Sequence, residues 1–343
     1  MGASGSKVGS RATTRRLAER LRIPVMAGPM FIASTPELLI AQSRAGIVGA
    51  LPALNPRSPE ALRAALVQVR EALDGDPSAA PWAVNIVAHR TNERLACDVA
   101  AVLEAQVPIV IVSLAAPAEI VSGVHAYGGL VFNDIVTNRH ARKCAEAGAD
   151  GLIAVAAGAG GHTGQVSPFA LVQDIRTWWE GPLALSGCIA TGRSILAAQV
   201  MGADFAYIGS PFLASAEANT AQAFKDMIVA SDAADVIVTD CFTGIPATFL
   251  RPSIEANGLD PAALFRDRNT PININDGGAN AKAWRDIWSA GQGIGAVKRA
   301  EPAAAYIERL ADEYAKACGQ IALASMEPTS ETRRSAGSLR LAH

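Results

Sequence analysis

Eight short apolar runs, each followed by a stretch of helical periodicity, dominate residues 23–229. The runs cover 23–27, 47–51, 82–86, 109–114, 130–133, 152–156, 183–186 and 205–209. The helical stretches between and after them cover 35–45, 59–73, 93–105, 117–125, 138–147, 168–179, 193–201 and 214–229, with Ser34 as the expected N-cap of the first. The apolar runs are continuous rather than alternating, which is the pattern of parallel strands buried on both faces. Doubly wound sheets share it, but eight units in succession favour closure into an α/β (β/α)8 TIM barrel. Two recurring phrases, AEAGADGLI (145–153) and AQVMGADFAYIG (198–209), carry the same grammar. In each, a helix ends at a glycine, Gly148 or Gly202, and an Ala-Asp pair leads into the next strand. That places Asp150 and Asp204 on the N-terminal rim, away from the active-site end of a barrel, in structural roles.

The organisation expected from this pattern is a flexible leader over 1–19, a barrel core over 20–230, a loop-rich lid with a closing helix over 231–318, and a tail over 319–343. Within the third part, 236–239 reads as one more strand, and 284–288 and 303–316 read as helical. Residues 243–295, rich in Gly, Pro and Asn, read as a cover over the barrel mouth. Half of the residues are hydrophobic and 18% are charged, enough for a large core and too apolar for a disordered chain. A net charge of -2 removes the usual electrostatic case for nucleic acid. No apolar run approaches the ~18 residues of a membrane span. The basic, polar first twenty residues lack the apolar segment of a secretory signal; Gly2 and Ser6 fit only the loose myristoylation pattern. Five cysteines without a CxxC pair disfavour a disulfide framework or structural zinc and fit a reducing cytoplasm.

In a barrel the chemistry lies where strands end. The segment AAGAGGHTG (156–164) follows the sixth strand and carries His162 among Gly158, Gly160, Gly161 and Gly164. Glycines there admit backbone close to a ligand, and imidazole exchanges protons near neutral pH. A His that only satisfies a turn is the plainer reading of an isolated residue; its position on this loop favours catalysis. The seventh and eighth strands end in SGCIATGR (186–193) and YIGSPFL (207–213). Loops there are the common phosphate site of a barrel, so Gly187, Gly192, Gly209 and Ser210 imply a phosphorylated cofactor or substrate, with Arg193 as an optional charge. His89 lies on the third such loop, His140 on a polar helix face and His125 near a helix end. The loop ends offer too few converging ligands for a metal.

Residues 23–30 (IPVMAGPM), Asn85, AGGHTG at 159–164, SGCIATGR and GADFAYIGSPFLA together resemble the nitronate monooxygenase family, from about residue 20 to about 315. The resemblance implies flavin mononucleotide (FMN) at the mouth of a TIM barrel under a helical insertion. It puts Gly28, Pro29 and Met30 beside the isoalloxazine, with Asn85 bonded to its ring and Gly160, followed by Gly161, against it. Ser186, Gly187, Cys188, Gly209 and Ser210 would hold the phosphate, and His162 is the family's active-site histidine. Three positions depart from the family pattern: Gly158 stands where an acidic residue is common, Asp134 where a Lys is, and Cys188 where the second Gly of SGG is. The implied activity is oxidation of alkyl nitronates, or nitroalkanes, by O2 to a carbonyl compound and nitrite. Asp134, by changing the charge beside the flavin, keeps open an NAD(P)H-linked reduction of enoyl thioesters or quinones. A non-flavin barrel binding a phosphorylated metabolite is a third reading. Phe242, Phe249 and Trp284 are candidates to cap the pocket, and the Ala-rich helices leave room for a homodimer.

Overall fold

The computed structural model describes residues 9–115, 117–264 and 284–326. Helix α1 (Arg11–Ala18) leads into eight strand–helix units. These are β1 (Val25–Ala27) and α2 (Pro36–Arg44), β2 (Gly49–Pro52) and α3 (Pro59–Leu73), and β3 (Trp82–Val87) and α4 (Leu95–Glu104). Next come β4 (Ile109–Ser113) and α5 (Ala118–His125), then β5 (Leu130–Ile135) and α6 (Asn138–Glu146). They are followed by β6 (Gly151–Val155) and α7 (Pro168–Arg176), then β7 (Leu183–Ser186) and α8 (Gly192–Met201). Strand β8 (Phe205–Ile208) is followed by a 3-10 turn, Ser210–Ala214, and α9 (Gln222–Ala230). A hairpin of β9 (Val236–Thr239) and β10 (Ala247–Leu250), α10 (Arg251–Ala256) and the long α11 (Ala303–Met326) complete the fold.

The eight barrel strands are parallel, in the order β1-β8-β7-β6-β5-β4-β3-β2. The two ends of that order meet: Ala27 N–H donates to Val48 O (2.7 Å) and Val48 N–H to Val25 O (3.1 Å). The chain is a TIM barrel, and its core of Val25, Met26, Phe132, Leu152, Leu185 and Phe205 is fully buried, as continuous apolar strands require. Short polar caps start the helices: Thr35, Ser58, Thr137 and Thr191 each accept a hydrogen bond from the backbone three residues on. Thr35, not Ser34, caps α2; the Ser34 hydroxyl accepts instead from Met30 N–H (2.9 Å) and so shapes the loop after β1.

Other expectations are corrected. Residues 11–18 of the expected flexible leader form a helix, capped by Ser10, because Leu17 buries itself in the same core as Val25. Helix α11 runs ten residues past the expected 316 because Ala, Gln, Ile and Leu carry it through the single Gly319. Residues 284–288 are a turn rather than a helix, with Trp284 at φ +69° and its N–H on Ile287 O (3.0 Å). The expected helix over 214–229 starts only at Gln222, after a 3-10 turn containing Pro211. Strand β10, four residues long, escapes a periodicity reading and pairs antiparallel with β9.

On the N-terminal rim Asp150 and Asp204 tie helices to strands. Asp150 Oδ2 accepts from Val131 N–H (2.8 Å) and faces His125 Nε2 (2.8 Å). Asp204 Oδ2 accepts from Leu183 N–H (2.9 Å) and pairs with the Arg176 guanidinium, whose other nitrogens bind Gly202 O and Gly181 O. Removing one carboxylate leaves a backbone donor and a partly buried cation unpaired. Asp204→Ala is expected to lower the unfolding free energy by about 2–3 kcal/mol in urea titrations, while ligand binding at the opposite rim is unchanged.

Candidate active site

The C-terminal ends of β6, β7 and β8 converge on one cavity, lined by Gly160, Ser186, Gly187, Cys188, Gly209 and Ser210. Its walls are backbone because side chains do not fit. A Cβ on Gly160 would lie 2.7 Å from Ser210 Oγ and 2.9 Å from Gly291 N, and one on Gly158 would lie 2.8 Å from Gln292 Oε1 and strike Cys188 Sγ. Gly187 and Cys188 both have positive φ, +133° and +60°. Among the described residues the N–H groups of Gly187, Cys188 and Gly209 have no hydrogen-bond partner in the protein. A concave wall of free backbone donors is the chemistry of a phosphate cradle.

The expected pieces fall on two sides of this cradle. Gly28 packs on Gly209, its Cβ position 3.3 Å from the Gly209 Cα, and Met30 lies close to Gly209 as well, which brings the loop holding Pro29 to the same rim. Gly161 is held by the cover: its N–H donates to Ser289 Oγ (3.0 Å) and its O accepts from Thr248 N–H (3.0 Å). His162 forms an antiparallel bridge to Ala247, and its ring meets Trp284 edge-on at 5.5 Å. Among the described residues neither ring nitrogen has a hydrogen-bond partner. Loss of water around the ring holds its pKa below the usual histidine value, so it is a neutral imidazole at pH 7.

Asn85 and Asp134 are joined through Ser113. Asn85 Nδ2 donates to Ser113 Oγ (2.8 Å) and to Ile111 O (3.2 Å), and Ser113 Oγ donates to Asp134 Oδ2 (2.6 Å). Burial pushes the Asp134 carboxyl up to about 6, against the opposing pull of the Ser113 hydroxyl and of the Leu114 and Asp134 N–H groups. Tyr207, which lines the cradle, is raised by burial and then by the charge of Asp134, so the two clusters share one mouth.

Several sequence candidates lie elsewhere. Gly192 N–H donates to Glu313 Oε2 (2.9 Å), facing α11 and not the cavity, and Arg193 binds Gln320 (2.6 Å) on the outer surface. His89 is satisfied by Thr91 within its own loop (2.9 Å). His140 sits on α6 with its pKa lowered by burial. Phe249 is fully buried between Phe242 and Trp284, so this trio is the core of the cover, and only Trp284 reaches His162. No group of three His, Cys, Asp or Glu with metal-binding spacing exists among the described residues, and no described helix is long and apolar enough to cross a membrane.

Sequence reasoning missed the third wall of the cradle, Gly291 and Gly293. Gly291 N–H donates to Ser210 Oγ (2.7 Å) and Gln292 N–H to Gly158 O (2.9 Å). The alternating glycines of GQGIG (291–295) were the available signal. It also missed Asn55, whose amide binds Ile32 N–H, Met30 O and Ser34 O and pins the loop after β1.

The model of one protein family, "Nitronate monooxygenase", matches residues 15–313. The chain belongs to the nitronate monooxygenase family. Among curated relatives, a putative monooxygenase, Rv1533, of Mycobacterium tuberculosis is 32% identical over 60% of this chain and 58% of its own length. A Rhodococcus jostii 5-hydroxy-7a-methyl-1-oxo-octahydro-1H-indene-4-carboxyl-CoA dehydrogenase is 26% identical over 71% of this chain and 66% of its own. The chain thus spans somewhat under two thirds of these relatives. The solved structure of FabK from Thermotoga maritima superposes with a TM-score of 0.73 at 26% identity, covering 89% of this chain and 97% of that one.

A methyl group at Gly160 would enter the space between Ser210 and Gly291. Gly160→Ala is expected to weaken binding of a flavin phosphate more than tenfold, read by fluorescence titration, with the circular dichroism spectrum unchanged.

Proposed function

We propose that this protein is an FMN-dependent oxidoreductase that oxidises alkyl nitronates, and with His162 nitroalkanes, by O2 to a carbonyl compound and nitrite. The reading is carried by one observation: a cradle of free backbone donors after β7 and β8 is closed by Gly158 and Gly160 of the Gly-rich loop that also carries a neutral, desolvated imidazole. The residues fit FMN. Gly160, Gly187, Cys188, Gly209, Ser210 and Gly291 would surround the phosphate, with Gly28, Met30, Asn85 and Asp134 on the side of the ring. When bound, FMN supplies the electron acceptor and passes electrons on to oxygen.

The chain's own residues orient, shield and move a proton. A ring nitrogen of His162 removes the proton from the carbon next to the nitro group, and its depressed pKa keeps it in the basic form at neutral pH. Trp284, edge-on at 5.5 Å, and the β9–β10 hairpin, bridged to His162 through Ala247, pack beside the imidazole and hold the loop that carries it. A nitronate has already lost this proton and needs no base. His162→Asn is therefore expected to lower turnover of neutral nitroalkane by about 10²-fold or more and of nitronate less than tenfold, measured by oxygen uptake with each substrate. Equal losses on both would remove the base assignment.

A second reading is favoured by Asp134. Its carboxylate is largely ionised at pH 7 and opposes an anionic nitronate, whereas an uncharged enoyl thioester or quinone meets no such repulsion. The carboxyl-CoA dehydrogenase among the relatives points to the same substrate class. Anaerobic mixing separates the two. Bleaching of the flavin by NADPH with nitronate inert establishes the reductase; bleaching by nitronate alone establishes the oxidation.

A further inference from the structure

The Asn85–Ser113–Asp134 chain has a direction, and the direction is set by proton counting. Ser113 has one hydroxyl proton, and its closest acceptor is the Asp134 carboxylate, 2.6 Å away. The Asn85 atom 2.8 Å from the same hydroxyl oxygen must then be a donor, the amide nitrogen. Ile111 O, 3.2 Å from that atom, makes the same demand independently. Both amide hydrogens of Asn85 are thereby used, and its Oδ1 is left as the spare acceptor: it accepts no hydrogen bond among the described residues and, unlike the oxygen of Asn133, is not fully buried. Leu114, at φ +72°, takes a strained backbone conformation beside this cluster, and its N–H and that of Asp134 stabilise the carboxylate.

We infer that Asp134 and Ser113 are positioning residues that act through Asn85, locking its amide so that a carbonyl oxygen, and not an NH2, faces the cofactor ring. The inference rests on the flavin reading above. It assigns a role to the residue at which this chain departs from its family's Lys. An acceptor there selects a ring edge that carries an N–H donor, as the imide N–H of an isoalloxazine does. The lock depends on protonation. Ionised Asp134 can only accept, so the Ser113 proton is committed to it. Protonated Asp134 can donate to Ser113 Oγ, which frees the Ser113 proton to point at the Asn85 amide and opposes its NH2. Ser113 on β4 is the hydrogen-bond partner of Asp134, and the titratable groups that feel its charge are Tyr207 on β8 and Cys144 on α6; burial raises the pKa of both, so both stay neutral through this range. Flavin affinity is expected to be highest with Asp134 ionised and to fall as pH drops through about 6.

The test is a fluorescence titration of FMN into flavin-free protein from pH 5 to 8.5, on the wild type, Ser113→Ala, Ser113→Thr and Asp134→Asn. The expected result is about tenfold weaker binding by Ser113→Ala, and a wild-type affinity that falls several-fold more steeply below pH 6 than in Ser113→Ala or Asp134→Asn, which keep only the fall due to the FMN phosphate with its second pKa of about 6. Ser113→Thr, which restores the hydroxyl, regains both the affinity and the steeper fall. An unchanged pH profile in Asp134→Asn, or equal loss in the Ala and Thr variants, overturns the positioning role while leaving the flavin assignment intact. Failure of the wild type to bind FMN at any pH overturns the flavin reading and this inference with it.

Discussion

Three stretches of backbone meet where no side chain has room: Gly160 after β6, the Gly209–Ser210 turn after β8, and Gly291 near the C-terminal end. A Cβ on Gly291 would lie 2.7 Å from both Gly158 O and Gly160 N, so the contact exists only because each partner is bare. Everything above it follows from that junction. Because Gly291 is anchored on Ser210, the segment leading to it must pass over the mouth, and Ser289 is placed on Gly161 N–H. The hairpin then adds its edge to the same loop through His162–Ala247 and Thr248–Gly161, and Trp284 is brought onto the imidazole. The cradle, the position of the histidine and its shielding from water are thus consequences of one close approach of backbone to backbone.

The barrel was legible because its information is local. Continuous apolar strands, Pro59 and Pro168 at helix starts, and the Gly-Ala-Asp phrase at the N-terminal rim each specify their own few residues. The Gly-rich loops could be assigned to the mouth for the same reason: they follow strands. What escaped was information shared between distant residues. Gly161 and Ser289 are 128 positions apart, and Arg22 and Glu308, which join the segment before β1 to α11, are 286 apart. Nothing in GQGIG states that it will pack on AGAGG. Helix α1 was hidden differently: RATTRRLA has a polar composition typical of a leader, and only Leu17 and Thr13, both buried, give it a place to dock.

Two of the departures from the family pattern are one event in space. A side chain at 158 would strike Cys188 Sγ, and the thiol lies near Ala157 O (3.9 Å) and Gln292 Oε1 (3.7 Å). Cys188 occupies the volume that an acidic residue at 158 would need. Glycine at 158 and cysteine at 188 are therefore sterically complementary, each leaving room for the other on the cradle wall.

The charge that remains is arranged to suit backbone recognition. Arg193, the cation nearest in sequence to the β7 loop, is spent on Gln320 at the surface, so the cradle itself works through N–H dipoles. Such dipoles act at short range and do not attract anions across the mouth as a Lys would. Asp134 then places a negative charge on the opposite wall, and desolvation keeps His162 neutral. In the proposed reading the backbone end of the mouth suits one anionic phosphate, while Asp134 offers a second anion repulsion and not a counter-charge. For a nitronate to react there, its charge must be accommodated by the flavin or by protonation of Asp134. An uncharged acceptor meets no such repulsion from the ionised carboxylate, and in the proposed reading this difference makes Asp134 the residue on which the choice of substrate turns.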